Sequence, residues 1–139
     1  MMKIRIISSK DDIKSLTRND LTVHLAYRAS STDMFRLLQA SPRLRVVQVP
    51  PSYYKNMPNT GRAFLETQGV QIIEGDVWGH RKDIDEYYVI NDDMIARIKE
   101  LQSDGLDAGE ISSRISWQMK LSPSMVNYII KQSASTTPP

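Results

Sequence analysis

NDDMIARIKELQSDGLDAGEISSRISWQMKLSPSMVNYIIKQ, residues 91–132, divides into three short helices by the spacing of its apolar side chains. Met94, Ile95, Ile98 and Leu101 recur at the offsets that put one face of a helix on a core, and Asp92 and Asp93 stand in its first turn, where the helix dipole favours acids. Asn91 opens this helix. Gly105 supplies the left-handed residue that stops it, with Leu106 folding back as the apolar partner of the cap. Asp107, followed three residues later by Glu110, is a capping box, so a second helix begins at Ala108 and buries Ile111, Ile115 and Met119. Ser122 and Pro123 are a cap and a first-turn proline, and they open a third helix. Met125, Val126, Ile129 and Ile130 form its apolar face; Ser124, Asn127, Tyr128 and Lys131 fall opposite, at exposed spacing.

Small hydrogen-bonding side chains with a cation are what a helix needs to touch base edges and phosphates in the major groove. The expected DNA contacts are Arg114, Lys120, Ser122, Ser124, Asn127, Tyr128 and Lys131. Through GLDAGEISSRI at 105–115 and LSPSMVNYII at 121–130 the stretch resembles trihelical helix-turn-helix domains, and that resemblance implies DNA binding. SWQMK at 116–120 departs from the pattern by making the connection about four residues longer than a tight turn, close to one helical turn. Either the second helix runs on through it, or the third helix is mis-aimed for a groove. The same periodicity also suits a three-helix cap or dimerisation module without DNA contact. Six acids (Asp92, Asp93, Glu100, Asp104, Asp107, Glu110) against five bases (Arg97, Lys99, Arg114, Lys120, Lys131) leave a net charge of minus one, weak for a DNA binder. No acid follows Glu110, however, which groups Arg114, Lys120 and Lys131 on the half that would face the duplex.

The whole chain bounds the remaining choices. Its 139 residues, 40% hydrophobic and 24% charged, are too apolar for a disordered chain and too interrupted for a membrane one. No apolar run reaches the ~20 residues of a membrane helix and no signal peptide opens the chain, so a cytoplasmic protein with no membrane partner is expected. The absence of cysteine excludes disulfides and thiolate metal sites. A formal charge of +2 permits nucleic acid without demanding it.

Residues 1–90 alternate strand-like and helix-like segments. Strands are expected at 3–8, 22–27, 44–49 and 70–75. Helices are expected at 9–16, capped by Ser9, from Ser31 or Thr32 up to Pro42, and at 59–68 with Gly69 as the stop. Such alternation argues for a parallel sheet, and the near-continuous apolar runs for burial on both faces. Successive strands are roughly 19 to 24 residues apart, less than the ~30 of a full crossover unit. The fold class is therefore α/β: a small, mostly parallel sheet, Rossmann-like or leucine-rich-repeat-like, followed by the three-helix unit and by a disordered tail at 133–139.

The segments after the strands are polar, and in a parallel sheet they share the edge where open α/β folds bind ligands. Arg28, Ser30, Tyr54, Lys55, Asp76, Trp78, His80, Arg81 and Lys82 are expected to gather there around a small anionic effector, with Tyr54 and Trp78 stacking on a ring. The loop from Asp76 to Lys82 would relay its occupancy through Tyr87–Ile90, the covalent link to the helices. Polar loops are also the ordinary condition of an α/β surface. Chemistry is not motivated: there is no nucleophile elbow, and ISSKDD at 7–12 lacks the glycines of a phosphate loop. Glu74, Asp76, His80 and Asp83 lack a further histidine for a zinc site, since His24 stands within a strand and reads as a satisfied histidine at a sheet edge. No catalytic residue, metal or cofactor is expected.

EGDVWGHRKDIDEYYVI at 74–90, VHLAYRASSTDMF at 23–35 and QVPPSYY at 48–54 together resemble an uncharacterised family of small proteins from methanogenic archaea. That resemblance implies an archaeal cytosolic protein with no established activity, and carries over no catalytic residue. The leading expectation is a small DNA-binding regulator acting as a symmetric homodimer. The alternative is an α/β domain binding a small anion or nucleotide, with or without catalysis, whose last helices serve packing or dimerisation.

Overall fold

The computed structural model describes residues 2–76, 87–90, 92–119 and 121–135. Strands β1 (Met2–Ile7), β2 (Thr22–Leu25), β3 (Val46–Val49) and β4 (Gln71–Glu74) are parallel, and β5 (Tyr87–Ile90) runs antiparallel to β1, giving the order β4-β3-β2-β1-β5. Each of β2, β3 and β4 pairs with the strand before it, so the chain advances across the sheet in one direction. Right-handed crossovers that all advance the same way lie on the same face. That face carries a 3-10 helix (Lys10–Ser15), α1 (Ser31–Ala40), α2 (Pro51–Lys55) and α3 (Asn59–Thr67), and their core joins Ile13, Met34, Leu37 and Leu65 to Ile7, Val23, Leu25, Val47 and Val49 of the strands.

The other face presents Ile4, Ile6, Val46, Ile73 and Ile90, and none of the crossovers between the parallel strands covers it. The C-terminal helices do so: α4 (Asp92–Ser103), α5 (Ala108–Met119) and α6 (Pro123–Ser135) bring Ile98, Leu101, Ile111, Ile115, Leu121, Met125, Val126, Ile129 and Ile130 into one cluster with those five strand residues. The molecule therefore has three layers, and the helical unit is the third. The expected units at 1–90 and 91–132 share a continuous core. Among the described residues no helix is long and apolar enough to cross a membrane.

Local chemistry explains where the elements begin and end. Helix α1 is opened by Ser30, not by Ser31 or Thr32: its hydroxyl accepts the Asp33 amide at 3.1 Å while the Asp33 carboxylate accepts the Ser30 amide at 3.1 Å, a complete capping box. Gly105, at φ 88°, ends α4 with its own amide on the Gln102 carbonyl and the Leu106 amide on the Leu101 carbonyl, the paired bonds of a Schellman cap. The Asp107 carboxylate accepts the Glu110 amide at 2.8 Å to start α5.

Pro51 takes the first position of α2, where its missing N–H costs nothing. Two expectations need correction. Tyr87–Ile90 is an edge strand and not merely a link. Helix α6 continues to Ser135 into the stretch expected to be disordered; residues 136–139 lie outside the described residues. Of the two readings of 116–120, the structure has the first: α5 runs through Met119, so its connection to α6 is only residues 120–122.

Candidate nucleic-acid interface

A connection of three residues lies within the usual helix-turn-helix range. Leu121 and Val126 flank the cap at the positions of a hydrophobic staple, and both are fully buried. The helix they start is clamped between the sheet and the other two helices. In the first nine residues of α6, Pro123 and Lys131 are exposed, Ser124 and Asn127 are half-buried and the rest are buried; at about 3.6 residues per turn these four fall in one arc of roughly 100°. Asn127 Oδ1 accepts the Ser112 hydroxyl at 2.6 Å, which ties this stripe to α5. On α5, Arg114 is exposed, with Glu110 and Gln118 exposed one turn to either side. Lys120 lies outside the described residues.

Two expected DNA contacts are not available. Ser122 is 2% exposed and Tyr128 6%, because the face they occupy meets the rest of the protein and not solvent. Burial pushes the Tyr128 phenol above its ordinary value of 10.0, and the Arg45 guanidinium works against that rise. The phenol of Tyr27 is pushed up more strongly, first by burial and then by the Asp33 carboxylate. Below about pH 10 both phenols are neutral folded or unfolded; above it the unfolded phenols ionise first, so stability is lost as pH rises. Urea unfolding should thus give constant stability from pH 8 to about 10 and a decline beyond it, and Tyr128→Phe should make that decline shallower. Arg45, exposed just before β3 and close to Tyr128, is a cation the sequence reading passed over because it borders an apolar strand.

Beneath the cap of α6 runs a line of buried polar groups. Ser122 Oγ accepts the Met125 amide at 3.1 Å and donates to Gln48 Oε1 at 2.6 Å. Gln48 Nε2 lies 2.9 Å from His24 Nδ1, and His24 Nε2 lies 3.3 Å from Asp76 Oδ1. Register makes the first of these side-chain contacts possible, since His24 pairs with Gln48 across β2 and β3. His24 is therefore satisfied, but on the middle strand and not at an edge. Gly75 lets the end of β4 approach: a Cβ there would overlap Ser122 Oγ and Cβ and come within 2.8 Å of Gln48 Oε1.

Residues 3–86 match the model described as "Family of unknown function (DUF1699) N-terminal domain". Residues 93–131 match "Protein of unknown function (DUF1699) C-terminal HTH domain". The chain belongs to the DUF1699 family. Neither a curated protein nor a solved structure matches it.

The expected effector cleft of this DUF1699 protein is only partly within the described residues; Trp78, His80, Arg81 and Lys82 lie outside them. Arg28 and Lys55 are exposed, and Ser30 is occupied as the α1 cap. Tyr54 already has a cation on one face of its ring: Arg62 donates to its hydroxyl at 2.7 Å and lies 4.5 Å from the ring centroid. Asp76 turns to His24. The pocket that Tyr27, Arg28, Tyr53 and Asn56 line at the ends of β2 and β3 has about 10 Å³ of space, room for one water. A sheet whose parallel strands never reverse their order also has no switch point among them to open a crevice. Among the described residues no three His, Asp or Glu side chains gather as metal ligands; His80 and Asp83 fall outside.

Proposed function

We propose that this DUF1699 protein is a DNA-binding regulator of an archaeal cytoplasm, which contacts DNA through α5, the turn and α6 as a symmetric dimer. The observation that carries this reading is the three-residue turn joining two helices that present Arg114 on one and the Ser124–Asn127–Lys131 stripe on the other. The match of residues 93–131 to a helix-turn-helix model supports it. Asn127 and Ser124 supply groups that hydrogen-bond base edges, and Arg114 and Lys131 supply phosphate contacts.

In a mobility-shift series over salt, Arg114→Ala and Lys131→Ala should each weaken binding about equally on all sequences and reduce the salt slope by about one unit. Sedimentation should show a dimer on DNA. Unchanged affinity in both variants, or a monomer both free and bound, would overturn the reading.

The alternative, in which the helices serve packing, is favoured by their place as the third layer over Ile4, Ile6, Val46, Ile73 and Ile90. It predicts no salt-dependent binding at all.

A further inference from the structure

His24 and Gln48 are 2% and 0% exposed, on a sheet face whose other buried residues are Ile, Val and Thr22. Buried polar groups are tolerated there only when hydrogen-bonded, and these form a directional series. The Met125 amide donates to Ser122 Oγ, the Ser122 hydroxyl to Gln48 Oε1, and the Gln48 amide to His24 Nδ1, while His24 Nε2 lies 3.3 Å from Asp76 Oδ1. As far as His24, every hydrogen points away from α6. The series closes only if His24 is neutral with its proton on Nε2, because Nδ1 must accept.

An imidazolium donates from both nitrogens. With His24 protonated, two donors would face each other across the 2.9 Å contact with Gln48. The Gln48 amide must then turn over, offering Oε1 to His24 and Nε2 to Ser122. Ser122 Oγ, which now receives the Met125 amide, would have to accept from Gln48 as well, and its own proton would lose its acceptor. The disturbance arrives at the third amide of α6. Solvent reaches the series from its far end, since the Asp76 side chain is 56% exposed.

We propose that His24 is a proton-sensitive positioning residue: its protonation rewires Gln48 and Ser122 and loosens the N-terminus of α6 on the sheet. The consequence for DNA affinity rests on the function proposed above; the rewiring does not. Among the described residues, the cross-strand partners of His24 are Ile6 of β1 and Gln48 of β3, and the Asp76 carboxylate lies 3.3 Å from its Nε2. Tyr128 belongs to the same cluster as Ile6 and stays neutral, while Arg5 of β1 points to the other layer, bonded to Ser15. Histidine is the side chain that changes charge between roughly pH 5 and 8.

The test follows the imidazole nitrogens of His24 and the backbone amide of Met125 by NMR in the whole 15N-labelled chain from pH 8 to 5. Expected are an unprotonated Nδ1 at pH 8 and a Met125 shift that titrates with the His24 midpoint. In His24→Gln that titration should vanish. In Gln48→Glu, whose carboxylate accepts at both ends, His24 should be protonated while the Met125 amide keeps its high-pH position. The opposite tautomer, a His24 that stays neutral to pH 5, or a Met125 amide indifferent to its titration would each overturn the proposal without any variant having to fold. A separate measurement of DNA affinity should fall about fivefold or more at the same midpoint. Affinity that ignores pH while Met125 titrates would overturn the link to DNA; no DNA binding at any pH would remove the proposed function and leave the NMR result standing.

Discussion

Residues 1–90 produced without the helices that follow will not hold a stable fold. Ile4, Ile6, Val46, Ile73 and Ile90, now 0–7% exposed, would face water along the whole uncovered side of the sheet. At about 1.5–3 kcal/mol for each large aliphatic side chain, the loss is on the order of 10 kcal/mol. That equals the total stability of an ordinary domain, roughly 5–15 kcal/mol. Gln48 would also lose its partner Ser122. The fragment should bind a hydrophobic dye, show poor amide dispersion and lack a cooperative urea transition. A sharp two-state transition from residues 1–90 alone would instead mean that the interval between the two family matches, 86 to 93, is a folding boundary.

Gly75→Ala is expected to be the most damaging single methyl that can be added at this seam. The new Cβ would overlap Ser122 and press on Gln48 Oε1, so either β4 or the start of α6 must retreat. Overpacking of this kind costs about 1–3 kcal/mol, and breaking the Ser122–Gln48 bond would carry the total toward the upper end. Gly69 and Gly105 give the contrast: a Cβ at either meets nothing within 4 Å, and the cost is only that of their positive φ. Because the clash is with one residue, Ser122→Gly should relieve part of it. A double-mutant cycle by urea unfolding should show the two changes costing about 1 kcal/mol or more less together than separately. Strict additivity would mean that the strand end and the helix cap do not meet.

The legible parts of this chain are those whose signals are local. Gly69, Gly105, Asp107 and the Ser122–Pro123 pair mark element ends through bonds within a few residues of themselves, and the structure places those ends where the sequence does. Strand β5 escaped notice because YYVI is four residues long and its partner, β1, lies at the other end of the α/β segment. Periodicity located the buried face of α6 but not its width. It names the residues that seek a core without naming what covers them, so Tyr128 was assigned to solvent when the protein interior takes that face. The polar line through the sheet left a faint trace: one histidine in TVHLAY and one glutamine in RVVQV, each alone among apolar neighbours. Register, which sequence does not state, sets them side by side.

The one-way order of the parallel strands also bears on how the protein is made. Synthesis delivers β1 to β4 with their crossovers first, so one side of the sheet can close while the other still waits. At about 5–20 residues per second, residues 91–135 follow over roughly 2 to 9 s. For that interval the nascent chain carries an apolar sheet face still waiting for the helices that cover it. A cell must either shield that surface or translate the last third quickly, and the same surface is what two stalled copies would use to find each other.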